Sequence, residues 1–156
     1  PMVTLFYPGC GADILWPLVI LDSIARDADW RVIAVDDSDC FDALICGIQA
    51  ITKNNVFRRD KDKVGFSFNA KRITLEFQKA DALSAPIPKC DIFMERAFNI
   101  IHSKDPQFIS RVASNASYLL VTDMAFPSPD GFQRHVAILP DWGFYKCPAV
   151  YVRRNA

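Results

Sequence analysis

Val3-Thr4-Leu5-Phe6-Tyr7-Pro8-Gly9-Cys10-Gly11-Ala12-Asp13 is the stretch that decides the fold. An apolar run ends in a Gly-x-Gly turn, and a helix-like segment follows it. A second apolar run, Val32-Ile33-Ala34-Val35, then ends in Asp36-Asp37. This is the layout of a nucleotide-binding β-α-β unit. Glycines let the backbone approach a ligand closely, and an acid after the second strand can accept two ribose hydroxyls.

Outward from that unit, apolar strand-like runs alternate with helical periods. That pattern predicts a mostly parallel sheet covered by helices on both faces. Strands are expected at Val3–Tyr7 and Arg31–Val35, with a helix over Leu15–Arg26 between them. Ser38 or Asp39 is placed to cap a second helix. Its apolar positions Phe41, Leu44, Ile45, Ile48 and Ile51 repeat at the helical period. The mixed-charge run Arg58–Lys63 reads as a solvated loop. Phe66 and Phe68, then Ile73, Leu75 and Phe77, flank Asn69-Ala70-Lys71 as a hairpin whose second arm is the third parallel strand. Asp91–Met94 and Tyr118–Thr122 are the fourth and fifth strands. Between them a helix runs from a cap at Asp105, with Pro106 at its first position, to Ala113. After the turn Pro127–Gly131, His135–Leu139 and Ala149–Arg153 follow with only Asp141-Trp142-Gly143 as a turn signal, so they must pair antiparallel.

The 156 residues fit one domain, spanning 1–156, with a sizeable core. Eighteen basic residues balance 18 acidic ones. With no long-range positive field and no basic–aromatic cluster along the chain, nucleic acid is a disfavoured partner and a small molecule the expected one. The five cysteines include no C-x-x-C pair, and His102 and His135 carry no motif, so no metal site is expected. Reduced thiols, no signal-peptide pattern and an apolar stretch, Ile14–Ile24, too short to span a bilayer predict a cytoplasmic protein without a membrane partner. Neither substrate identity nor oligomeric state has a signature in the sequence.

Five parallel strands, a terminal antiparallel hairpin, the Gly-x-Gly turn and the acid after strand two together resemble the class I S-adenosylmethionine-dependent methyltransferase family. The resemblance covers nearly the whole chain. It implies a three-layer Rossmann-like α/β sandwich with a seven-stranded sheet in the order 3-2-1-4-5-7-6, strand seven antiparallel. It also implies S-adenosylmethionine as cofactor. Leu5–Gly11 is similar to the family's glycine-rich first motif, which places Tyr7, Gly9, Cys10 and Gly11 against the cofactor. Asp36, with Asp37 beside it, matches the ribose-binding acid. Asp81-Ala82 matches the adenine contact after strand three, and Glu95-Arg96 lies where the family lines the methionine end and the substrate pocket. Tyr7 stands where the family has an acid that helps hold the cofactor's ammonium group, Asp13 stands where a third glycine is common, and Pro8 is unusual there.

Each position also has a plain structural reading. Gly9 and Gly11 can simply make a tight turn, and Asp13 and Asp81 can cap helices. Asp37 can be solvated. Cys10, at a helix start, can be an activated nucleophile or a compact filler of the turn, the filler reading being favoured. Glu95 can be a general base, bind an ammonium, or pair with Arg96 or a nearby lysine at the surface. Two other functions compete with a methyltransferase acting on a small molecule. One is a non-catalytic methyltransferase-like binding protein. The other is an NAD-type dinucleotide binder, which needs a third glycine where Ile14 stands and would set the Asp13 carboxylate against a pyrophosphate.

Overall fold

A computed structural model describes residues 1–53, 55–96, 105, 107–123, 126–136 and 149–155. The first strand, β1 (Met2–Pro8), lies at the middle of the sheet. Its residues are apolar without alternation because both faces of a central parallel strand are covered. Leu5 and Tyr7 point to one core, Phe6 to the other. Helix α1 (Leu15–Ile24) leads to β2 (Asp29–Asp36), which pairs parallel with β1 over its whole length. Pro17 sits in the first turn of α1, where its missing N–H costs nothing. Helix α2 (Phe41–Thr52) follows.

The chain then makes three strands, β3 (Val56–Arg59), β4 (Lys63–Phe68) and β5 (Lys71–Lys79), joined by antiparallel pairing. The last of them returns parallel to β2. Strand β6 (Cys90–Met94) lies on the other side of β1. Helix α3 (Phe108–Asn115) connects it to β7 (Ala116–Thr122), and β8 (Phe132–Val136) and β9 (Ala149–Arg153) complete the sheet. The order is β3-β4-β5-β2-β1-β6-β7-β9-β8. Strand β9 is antiparallel to both its neighbours. From β5 onward this is the expected order, closing hairpin included.

Several expectations are corrected. The sheet has nine strands among the described residues, not seven. The first hairpin arm, β4, belongs to the main sheet, and β3 takes Arg58 and Arg59 out of the expected loop, leaving Asp60–Asp62 as the turn. Helix α1 stops at Ile24 rather than Arg26. The cap of α2 is Cys40, not Ser38 or Asp39, and makes no side-chain cap bond. Helix α3 begins at Phe108, with Asp105 accepting the Gln107 N–H ahead of it. Strand β8 starts at Phe132, three residues before the expected His135. Pro106, His102, Cys147 and the Asp141-Trp142-Gly143 turn lie outside the described residues.

The layering is uneven. Helices α1 and α2 cover one face, where Leu18, Leu21, Leu44 and Ile48 join Val32, Ala34, Leu75 and Met94 in the larger core. On the other face α3 presents Phe108, Ile109 and Val112 to Ile33, Phe93 and Leu120. Each such fully buried large side chain contributes about 1.5–3 kcal/mol. Beyond β5, where a third layer calls for a helix, the chain makes only a turn around Ala82–Ala85, with Ala82 and Leu83 on the smaller core.

Candidate functional site

The strand order reverses at β1. The chain moves from β1 out to β2 and β5, then returns to β6 on the opposite side. Ligands in open α/β sheets bind at such a switch point, beyond the carboxyl ends of the strands. The Gly-x-Gly turn lies there. Gly9 and Gly11 both have left-handed φ, +64° and +53°, so the turn itself requires glycine at low cost. The Gly9 N–H donates to the Val35 carbonyl at 2.7 Å, folding the turn over the end of β2. A Cβ built on Gly11 meets nothing within 4 Å, so the space above that residue is open.

Asp36 is the hub of this corner. One carboxylate oxygen accepts the Gly11 N–H at 2.8 Å and the other accepts the Ser38 N–H at 2.9 Å. Its main-chain carbonyl accepts the Ala80 N–H at 2.9 Å, tying in the end of β5. Asp37 is exposed. Asp81 accepts the Leu83 N–H and so braces its own turn, and Ala82 is buried in the core.

Tyr7 and Asp13 meet across the turn. The Tyr7 hydroxyl donates to Asp13 Oδ2 at 2.7 Å, and burial, reinforced by that carboxylate, drives the phenol's pKa well above its ordinary value. The hydroxyl therefore stays a donor. Asp13 Oδ1 accepts the Trp16 N–H at 3.2 Å, so it also caps the start of α1. Arg96, just past β6, brings Nη1 to 3.9 Å from Asp13 Oδ2 and lies 5.0 Å over the Trp16 ring. Together Tyr7, Asp13 and Arg96 bridge the ends of β1 and β6.

Cys10 is buried, with Sγ 3.3 Å from the Gly11 carbonyl. Burial, with Asp36 nearby, raises its pKa, which weighs against an activated nucleophile at this position. Glu95 is also not the surface partner of Arg96. It is fully buried, its N–H donates to the Val121 carbonyl, and Arg96 turns to Asp13 instead. Glu95, Thr122 and Asp123 are the buried polar or charged residues among those described, and all three lie at the carboxyl ends of β6 and β7. Thr122 gave no sequence signal, because a lone threonine ending a strand looks like any other. Its meaning comes only from the neighbouring strand.

A cleft of about 710 Å³ lies elsewhere, between α3 and Phe126–Asp130, and none of the residues chosen from the sequence lines it. No group of three or more His, Cys, Asp or Glu suited to a metal occurs among the described residues. No helix in them is long and apolar enough to cross a membrane.

This is a Rossmann-like α/β architecture with a candidate site at its topological switch point. No protein-family model matches the chain, and no curated protein does. Among solved structures it is similar to MNMC2 from Aquifex aeolicus, with 12% identity and a TM-score of 0.56 over 99% of this chain. The chain spans 54% of that structure's length, and the likeness is one of fold.

Proposed function

We propose that the chain binds S-adenosylmethionine at the carboxyl ends of β1, β2 and β6 and transfers its methyl group to a small molecule. The observation that carries this reading is the burial of Glu95, Thr122 and Asp123 at the carboxyl ends of β6 and β7, the same sheet edge as the turn after β1 that Asp36 holds. Burying acids is costly, and where a fold does so at its ligand edge, chemistry is the usual reason. The residues present fit the cofactor. Open space above Gly11 suits a nucleoside, and each Asp36 oxygen retains a lone pair for a ribose hydroxyl. Asp13, held by Tyr7, supplies the carboxylate that the Tyr7 position lacks.

When bound, the cofactor supplies an electrophilic methyl on a sulfonium. The chain's part would be to hold a nucleophile in line with that methyl, exclude water and receive the proton the nucleophile sheds, and the buried acids Glu95 and Asp123 would be its acceptors. The dinucleotide reading fits less well. Asp13 already occupies a free N–H at the start of α1, and its charge faces the place a pyrophosphate would take. Ile14, where the third glycine would stand, packs against α2 beside Gly47.

Calorimetric titration and thermal melts with S-adenosylmethionine, S-adenosylhomocysteine and NAD test the reading. S-adenosylhomocysteine should bind and raise the melting temperature, because a ligand selective for the folded state stabilises it by mass action. A response to NAD alone, or none to millimolar S-adenosylhomocysteine in folded protein, rejects it. Binding without turnover of labelled S-adenosylmethionine over a metabolite pool would instead identify a non-catalytic binder.

A further inference from the structure

The outer end of the sheet carries a surface that no short stretch of sequence reveals. In β5 the residues Ile73, Leu75 and Phe77 face α1 and α2, so Arg72, Thr74 and Glu76 face the other way. Lys63, Gly65 and Ser67 of β4 pair with them and share that face. In β3 the register shifts between Val56 and Arg58, leaving Phe57 as the extra residue of a bulge, a device that re-aims a side chain. Its ring lies on Gly65, where any Cβ would come within 2.7 Å of it, so glycine there is the seat for the ring. Phe57 remains 53% exposed, and the Arg72 guanidinium sits 5.7 Å over it.

Cations surround that ring. Phe57, Arg58, Lys63 and Arg72 share a cleft of about 300 Å³ with Met2 and Trp30. Arg58 is paired with Asp60 at 2.7 Å, and Lys63 lies 3.8 Å from Glu76, which Arg31 already holds. Asp29 is the acid in the wall and spends one oxygen on the Arg72 N–H. The Arg72 guanidinium has no acidic partner among the described residues, and neither has Lys53, Lys61 or Lys71. Between Lys53 and Arg72 lie seven basic residues and two acidic ones, in a chain of zero net charge.

An exposed ring on an open sheet face, under the Arg72 guanidinium and beside the partly paired Arg58 and Lys63, suits a polyanion that also carries flat apolar groups. We propose that this face binds single-stranded nucleic acid, with phosphates on Arg72, Arg58 and Lys63 and an unpaired base stacked on Phe57. A duplex keeps its bases from such a ring, and a purely ionic partner has no use for it. The inference is independent of the cofactor reading, since it uses the β3–β5 face and not the switch point.

Fluorescence anisotropy with labelled oligo(U), oligo(dT) and a duplex of equal length tests it, with circular dichroism verifying each variant's fold. The single strands should bind more tightly than the duplex, and affinity should fall with salt. Arg72→Gln should weaken binding and flatten the slope of log K against log salt by about 0.7. Phe57→Leu should weaken it about tenfold with the slope unchanged. No binding at about 50 mM salt, equal affinity for duplex, or binding indifferent to both substitutions would overturn the proposal. So would equally tight binding to anionic phospholipid vesicles that ignores Phe57→Leu.

Discussion

Asp36 shows how one side chain can serve a turn and a ligand at once. Its two oxygens hold the Gly11 and Ser38 N–H groups, so it shapes the loop before any ribose arrives. Asp36→Ala should therefore cost about 1–3 kcal/mol of folding stability in urea titrations, from the two orphaned donors, besides weakening the cofactor. Unchanged stability would mean that solvent replaces both bonds. Gly11 separates the two roles more cleanly. Its φ is left-handed, which asparagine tolerates better than other side chains, and the space above it is open. Gly11→Asn should stay folded, within about 1 kcal/mol of the parent, yet lose S-adenosylhomocysteine binding in calorimetry. Retained tight binding would place the ligand away from this turn. Gly9, Gly11 and Asp36 were legible in the sequence because their meaning is local, an apolar run ending in a turn and an acid one unit later. The Tyr7–Asp13 bond and the burial of Glu95 were not, because both depend on how β1, α1 and β6 converge in space.

Among the elements, β3 is the one the sequence concealed. Arg58-Arg59-Asp60-Lys61-Asp62-Lys63 has neither alternation nor apolar residues, and solvation explains such a run as well as a strand does. An edge strand bonded on one side needs no buried face. Its charges, with Arg59 paired to Asp42 of α2, guard against pairing with another chain. The parallel strands were legible because each must be apolar on both faces, a signal no loop imitates. Across β2, β5 and β4, Glu76 joins the hairpins to the inner part of the sheet. Arg31 donates to it at 3.0 and 3.1 Å, and Lys63 lies 3.8 Å away. The Arg31 hydrogen bonds outweigh the opposing effect of burial and lower the Glu76 pKa from its ordinary 4.5. A carboxyl whose pKa falls on folding adds stability above its unfolded value, and that stability is lost as pH drops through the folded one. Glu76→Gln should therefore cost about 0.5–1 kcal/mol at neutral pH. The gap to the parent should close as pH falls below 4.5. Urea titrations at both pH values check this, and an equal loss at each would assign the effect to packing.

At the scale of the molecule, zero net charge conceals a separation of charge. The stretch Lys53–Arg72 carries a formal excess of five positive charges, so the remainder carries the same excess of negative ones. Asp13, Asp36, Asp37 and Asp81 lie at the carboxyl ends of the inner strands, and the basic hairpins form the far end of the sheet. Composition is blind to this because it adds charges without regard to place, whereas an interface feels only those within about a Debye length, ~8–10 Å. The protein should therefore be retained on a cation exchanger near its isoelectric point of about 7.1, held by the β3–β5 end. The double substitution Arg58→Gln/Arg72→Gln should elute at clearly lower salt. Arg26→Gln/Arg154→Gln removes the same two charges from elsewhere on the surface and should shift elution much less. Phe57→Leu should leave elution unchanged, because a resin offers no base to stack. If the two double variants moved together, retention would follow total charge, and the patch would have no electrostatic identity of its own. A larger shift for the hairpin pair alone would establish the field that draws an anionic partner to this end of the sheet.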